Sequence, residues 1–127
     1  SKGLSKSIRF LGNRTDVLDL YQGMDCFFLS SLFEGLPVTG VEAQAMGLPM
    51  VVSDTVTNEM VYTDLVDYVS LRKSAKVWAE HLKKALDCKV NRESYSDKLK
   101  QSVFSDVGCG ERLRNLYTEL LNKRGGM

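Results

Sequence analysis

Short apolar runs alternate along this chain with stretches in which apolar residues recur at helical spacing. Ile8-Arg9-Phe10-Leu11 has the length of a strand and is closed by the turn formers Gly12-Asn13. Asp16 stands where it can cap a helix through about Gly23, with Val17, Leu18 and Tyr21 on one side. Cys26-Phe27-Phe28-Leu29 is apolar on both faces, the pattern of a strand covered on both sides by helices. After a loop from Ser30 to Leu36, Pro37 opens a helix that runs to Met46 and stops at Gly47. Pro49-Met50-Val51-Val52 predicts a further strand ending at Ser53-Asp54. A short helical or irregular piece around Asn58–Tyr62 then leads to a weaker strand, Asp67–Leu71. Ser74 caps a helix through about Leu86 whose buried stripe is Trp78, Leu82, Ala85 and Leu86. Two more helices are expected, Arg92–Gln101 and from about Val107 to Asn122, followed by a frayed tail, Gly125-Gly126-Met127.

Strands that alternate with helices, and that read as unbroken apolar runs, predict an α/β domain: a Rossmann-like parallel sheet flanked by helices. Such open sheets bind ligands beyond the carboxyl ends of their strands. That directs attention to the loops Gly12–Thr15, Ser30–Leu36 and Ser53–Asn58. The length of 127 residues, 43% of them hydrophobic, suits one domain with a buried core. Lys and Arg number 17 against 16 Asp and Glu, a net charge of +1, so no broad field draws the chain to nucleic acid or to an anionic membrane. Cys26, Cys88 and Cys109 form no C-x-x-C pair and fit a reducing cytosol better than a disulfide scaffold. No apolar stretch approaches the roughly 20 residues of a membrane span. The chain opens on Ser1, with no signal peptide, and is read as a piece of a longer protein.

The chemistry concentrates in the segment from Ser31 to Pro49. It places a carboxylate, Glu34, in a tight loop before a helix, and a second carboxylate, Glu42, about one and a half turns into that helix. The first N–H groups of a helix lack intrahelical partners and lie at its positive end. Those of Val38, Thr39 and Gly40 are therefore candidates to face a phosphate or diphosphate, with the Thr39 hydroxyl as an added donor. Gly35 lets the backbone turn sharply beside a ligand, and Gly40 keeps the first turn free of a side chain. Carboxylates suit sugars, whose neighbouring hydroxyls donate to their oxygens. A sugar nucleotide offers hydroxyl pairs at its ribose and its hexose with a diphosphate between them, and this order of groups matches it. Taken alone, two glutamates eight positions apart are a weak signal; their place between two strands strengthens it.

The run Ser31-x-x-Glu34-Gly35-Leu36-Pro37, then Glu42-Ala43 and Gly47-x-Pro49, resembles the E-x7-E signature of family 4 glycosyltransferases and their GT-B relatives. Ile8–Gly12, Asp16–Tyr21 and Asp25–Ser30 are similar to the segment preceding that signature, so the likeness is detailed over Gly3–Asp54 and generic beyond. The resemblance implies the C-terminal, donor-binding half of a GT-B fold. It implies Glu34 as the catalytic-site contact to the donor sugar, and Gly35, Leu36, Val38 and Thr39 beside sugar and diphosphate. It further implies Glu42 on the ribose hydroxyls, with Gly12, Asn13 and Arg14 near the nucleobase; a solvated surface charge is an equal reading of Arg14. Pro37 has no N–H to offer. The reaction implied is retaining, metal-independent transfer from a UDP- or GDP-sugar to a glycan or lipid-linked acceptor in polysaccharide or glycoconjugate synthesis. No cofactor is expected, and the sequence shows no D-x-D and no His/Cys ligand spacing. The implied location is the cytoplasm, at the inner face of the membrane in the full-length enzyme.

The resemblance also implies what lies outside 1–127: an N-terminal acceptor-binding half, and the first two strands of the donor half with an Arg and a Lys that grip the diphosphate. On this reading the chain alone is inert, the run at Ile8–Leu11 has no neighbour to pair with directly, and exposed sheet edges favour self-association. A non-catalytic nucleotide-sugar-binding module is the alternative from another class, and a sugar-nucleotide epimerase or a phosphorylase is the other enzyme reading. Coding sequence upstream of Ser1 discriminates them. His81, between Glu80 and Lys83 on a helix flank, reads as a solvated side chain, and Trp78 as packing. Asp54 following a strand is a weak echo of a receiver phosphoacceptor, without that fold's other residues.

Overall fold

A computed structural model describes residues 3–124. Its centre is a parallel sheet of three strands in the order β1 (Phe27–Leu29), β2 (Met50–Ser53), β3 (Val66–Val69). Helices α1 (Val17–Gln22), α2 (Val38–Ala45), α3 (Ala75–Leu86), α4 (Glu93–Gln101) and α5 (Asp106–Arg124) surround it, with 3-10 turns at Leu4–Lys6 and Asn58–Met60. The expected α/β class is what the chain adopts. The third strand lies at Val66–Val69 rather than Asp67–Leu71, because Val66 to Val69 pair with Met50 to Ser53 and the chain turns away after Val69. The tail Gly125-Gly126-Met127 lies outside the described residues.

The central strand carries the core. Met50, Val51, Val52 and Ser53 are all fully buried, and each buried apolar side chain contributes roughly 1.5–3 kcal/mol. Met50 and Val52 join Tyr21 of α1, Val41 and Ala43 of α2, and Leu48, Val56 and Met60 in one cluster. Over the other face lies α3, whose Trp78 meets Phe28 edge to face at 5.4 Å. That face is thinner than the sequence implied. Phe28 keeps 48% of its surface exposed, and Leu86, expected in the buried stripe, is 57% exposed at the last turn of α3.

Residues Ile8–Leu11 are not a strand. They are exposed throughout, Phe10 at 96%. Among the described residues their backbone makes one ladder-free bond, from the Ile8 N–H to the Leu4 carbonyl. A strand of four residues has no stability without a partner to complete its hydrogen bonds, and among the described residues no strand pairs with this run.

Candidate functional site

Helix α2 begins where expected, at the carboxyl end of β1, with Pro37 in extended conformation at its N-cap and the positive φ of Gly47 (66°) ending it. Its interior is Val, Ala and Gln facing the core. Two glycines have structural duties that fix how α2 sits. A β-carbon on Gly40 would fall 2.7 Å from the Met60 sulfur, so Gly40 lets α2 pack directly against that buried side chain. Its N–H is likewise already donated to the Pro37 carbonyl at 2.9 Å. Gly40 therefore leaves the set of phosphate-facing candidates. Val38 and Thr39, both exposed, have N–H groups with no backbone acceptor among the described residues.

Glu34 and Glu42 are both half-buried, and each is met by one hydroxyl. The Ser31 hydroxyl donates to Glu34 Oε1 at 2.7 Å. The Tyr21 hydroxyl lies 3.4 Å from Glu42 Oε2, and burial first, then the Glu42 charge, push that phenol above its usual range. In each case the second carboxylate oxygen has no protein donor among the hydrogen bonds of the described residues.

The loop carrying Glu34 is anchored by polar contacts. The Ser31 carbonyl accepts the Ser53 hydroxyl at 2.5 Å and the Thr55 hydroxyl at 2.7 Å, so the exit of β2 holds the exit of β1. The loop's apolar residues contribute little to holding it: Leu32 is 82% and Phe33 85% exposed. Gly35 and Leu36 are exposed as well, and a β-carbon on Gly35 would meet nothing.

Gly12, Asn13 and Arg14 lie in an exposed irregular segment, with Gly12 at φ 66°. Arg14 is ion-paired with Asp16, which holds that carboxyl below its usual range. This corrects the expectation that Asp16 caps α1: its side chain makes no cap bond and turns to Arg14, a closer and charged partner. His81 is likewise not merely solvated, since its Nδ1 lies 2.6 Å from Asp67. Cys26 is a half-buried free thiol, and burial raises its pKa.

Hollows open at both ends of the sheet. One, of about 490 Å³, sits beyond the carboxyl end of β2 and is lined by Asp54, Thr55, Val56, Thr57, Asn58 and Tyr68. The other, of about 750 Å³, lies at the opposite end, between the starts of β2 and β3 and the last turns of α3. Neither is lined by Glu34 or Glu42. Among the described residues no group of three or more His, Cys, Asp or Glu is placed to hold a metal ion.

Three features escaped sequence reasoning. In the sequence Ser31 is only a motif letter, and Tyr21 only part of an apolar stripe. Gln44, on the buried face of α2, is a fully satisfied polar hub. Its amide nitrogen donates to the carbonyls of Gly40 (3.1 Å) and Met60 (2.9 Å). Its oxygen accepts from the Tyr62 N–H (3.1 Å) and the Thr63 hydroxyl (3.0 Å). A glutamine at the position where the helix turns inward was the available signal.

A strand, a Glu-bearing loop, a helix with a second Glu and a following strand, in a parallel α/β frame, invite comparison with known proteins. The profile of the family described as Glycosyl transferases group 1 matches residues 1–102. The chain belongs to this glycosyltransferase family. EpsF of Bacillus subtilis, provisionally named a glycosyltransferase, is 35% identical over 123 residues, covering 93% of this chain and 32% of its own length. The N,N'-diacetylbacillosaminyl-diphospho-undecaprenol alpha-1,3-N-acetylgalactosaminyltransferase of Campylobacter jejuni is 46% identical over 50 residues, 39% of this chain and 13% of that protein. The UDP-Gal:alpha-D-GlcNAc-diphosphoundecaprenol alpha-1,3-galactosyltransferase of Escherichia coli is 43% identical over 51 residues, 40% of this chain and 13% of that protein. The chain thus spans at most about a third of the length of these relatives. Its three-stranded parallel sheet with flanking helices is consistent with part of a GT-B Rossmann-like domain.

Proposed function

We propose that this chain is the donor-binding portion of a glycosyltransferase that uses a nucleoside-diphosphate sugar and transfers it with retention, without a metal. The observation that carries the reading is the arrangement around α2. Two hydroxyl-steered carboxylates, Glu34 and Glu42, bracket a helix start whose Val38 and Thr39 N–H groups are open. In this reading the free oxygen of Glu42 accepts from the ribose hydroxyls and that of Glu34 from the donor sugar. The helix start, with Gly35 and Leu36 leading into it, faces the diphosphate. Amides at the positive end of a helix stabilise the charge that develops on the leaving diphosphate, which gives a metal no necessary part. Glu34 acts through position and charge. Gly12, Asn13 and Arg14 border the nucleobase, and Arg14 exchanges its Asp16 partner for that contact.

The names of the Campylobacter and Escherichia relatives specify sugars on undecaprenyl diphosphate. By extension, we assign the acceptor here to the lipid-linked glycans, met at the cytoplasmic side of a membrane and bound largely by a second Rossmann-like half outside 1–127. No helix among the described residues is long and apolar enough to cross a membrane.

The test is calorimetric titration of the chain with UDP-galactose, GDP-mannose and the free nucleotides. Glu42→Ala removes a charged acceptor for the ribose hydroxyls, so it should weaken nucleotide and nucleotide sugar alike by about 1–3 kcal/mol. Glu34→Ala should weaken only the nucleotide sugars. A wild-type chain that binds none of the four ligands, or a Glu42→Ala variant that binds them as wild type does, refutes the reading. Retention and metal independence are read from the product anomer and from turnover in EDTA with a full-length protein of this sequence.

A further inference from the structure

The sequence motif stops at Ser31 and Glu34, but the structure continues the chain of contacts into β2. Ser53 is the last residue of the most deeply buried strand, and at 0% exposure it occupies a position that Met50, Val51 and Val52 fill with apolar side chains. A hydroxyl buried there must be bonded to offset its lost hydration. It donates to the carbonyl of Ser31 at 2.5 Å. That carbonyl takes a second hydroxyl, from Thr55 at 2.7 Å, while Thr55 Oγ1 is also 3.2 Å from Ser53 Oγ. Both lone pairs of one loop carbonyl are thus occupied by side chains 22 and 24 positions further along.

The anchored residue is the one whose own hydroxyl holds Glu34 at 2.7 Å. Between Ser31 and the buried Pro37, the side chains of Leu32, Phe33 and Leu36 point outward and cannot fix the loop by packing. Its shape therefore depends on these polar ties. Without the clamp, Glu34 would sit on a loop of exposed residues, and each lost ångström of placement weakens an interaction that needs a defined oxygen position.

We propose that Ser31, Ser53 and Thr55 form a hydroxyl clamp of positioning residues that orients Glu34 toward the sugar moiety of the donor, so that they set the preference for nucleotide sugar over free nucleotide. This rests on the donor-binding reading above. The clamp lies at the Glu34 end and makes no hydrogen bond to Glu42, whose partner is Tyr21. Its loss should therefore be felt by the sugar and not by the ribose.

The experiment compares wild type with Ser31→Ala, Ser31→Thr and Thr55→Val by titration with UDP-galactose and UDP, and with GDP-mannose and GDP. Thr55 is exposed, so Thr55→Val leaves the core intact; Ser53→Ala is added with its melting temperature as a control for folding. Ser31→Ala should lose about tenfold in affinity for the sugar nucleotide that wild type binds, with the matching free nucleotide within twofold. Thr55→Val should lose severalfold in the same selective sense, and Ser31→Thr, which keeps the hydroxyl, should restore wild-type behaviour. Equal loss for sugar nucleotide and free nucleotide shows a merely structural role and overturns the proposal. Unchanged affinity for both does the same. A wild type that binds no nucleotide at all overturns the donor-binding reading and the clamp with it, whereas a wild type that binds beside an indifferent Ser31→Ala overturns the clamp alone.

Discussion

Replacing Gly47 by alanine should be among the most damaging single-methyl additions in this chain, and Gly12 supplies its internal control. Both glycines adopt φ 66°. A non-glycine residue in that left-handed region costs about 1–2 kcal/mol. The narrowing of the unfolded ensemble by alanine returns about 0.4–1 kcal/mol. At Gly12 nothing lies within 4 Å of the added β-carbon, so Gly12→Ala should cost only about 0.5–1 kcal/mol. At Gly47 the β-carbon would fall 2.8 Å from the Arg92 Cα and 3.0 Å from its Cβ and Cγ. That clash is with backbone at the entry to α4, which cannot rotate away, and overpacking of this kind adds about 1–3 kcal/mol. Gly47→Ala should therefore cost about 2–4 kcal/mol in total. The damage should spread, because the Arg92 guanidinium donates to the carbonyls of Met24 at 2.6 Å and Gln22 at 2.9 Å and so closes the end of α1, which carries Tyr21. Urea denaturation of wild type and the two variants at pH 7, followed by far-ultraviolet circular dichroism, measures the difference directly. Equal losses for Gly12→Ala and Gly47→Ala would show that the backbone conformation alone matters and that the α4 contact is not tight.

Gln44→Leu removes all four bonds of the hub and strands the Met60 carbonyl and the Tyr62 N–H against an apolar side chain. A loss of about 2–4 kcal/mol in the same assay is expected, and a neutral outcome would mean that water satisfies those groups. Stability should also fall in alkali. Burial raises the Tyr62 phenol from 10.0 to about 12, so the folded state holds a proton that the unfolded state releases first. The contribution is complete below pH 10 and is lost as pH rises through about 12. Tyr62→Phe, which gives up the bond to the Val41 carbonyl, should be weaker at pH 7 and show a shallower alkaline decline; parallel pH profiles would refute the assignment.

Much of the frame was legible locally. The helix from Ser74 begins at that cap, its hydroxyl accepting from the Val77 N–H, and α2 ends at Gly47 because only glycine enters the left-handed turn without strain. The run at Ile8–Leu11 has the pattern of a strand but not the structure of one, in keeping with its lack of a direct neighbour, because an apolar tetrad has strand character only where another strand pairs with it. Leu86 misled for a related reason: helical spacing says which residues share a face, and only the neighbouring layers say whether that face is covered. Gly40, which the local pattern shows only as a first turn free of a side chain, packs against Met60, 20 positions away in sequence.

Local pattern along the chain sets the alternation of strand and helix, the glycine stop of α2, and the spacing that puts Glu34 before the helix and Glu42 within it. These follow from side-chain periodicity and from φ preferences, which act over a few residues. Packing of the elements makes β1 an edge of the sheet among the described residues, ties Ser31 to Ser53 and Thr55, brings Tyr21 to Glu42, and joins α2 through Gln44 to the segment at Met60–Thr63. Each of these contacts joins residues far apart in sequence, so its partner is selected by how the elements pack and by the need to satisfy every buried polar group, not by any pattern within one segment.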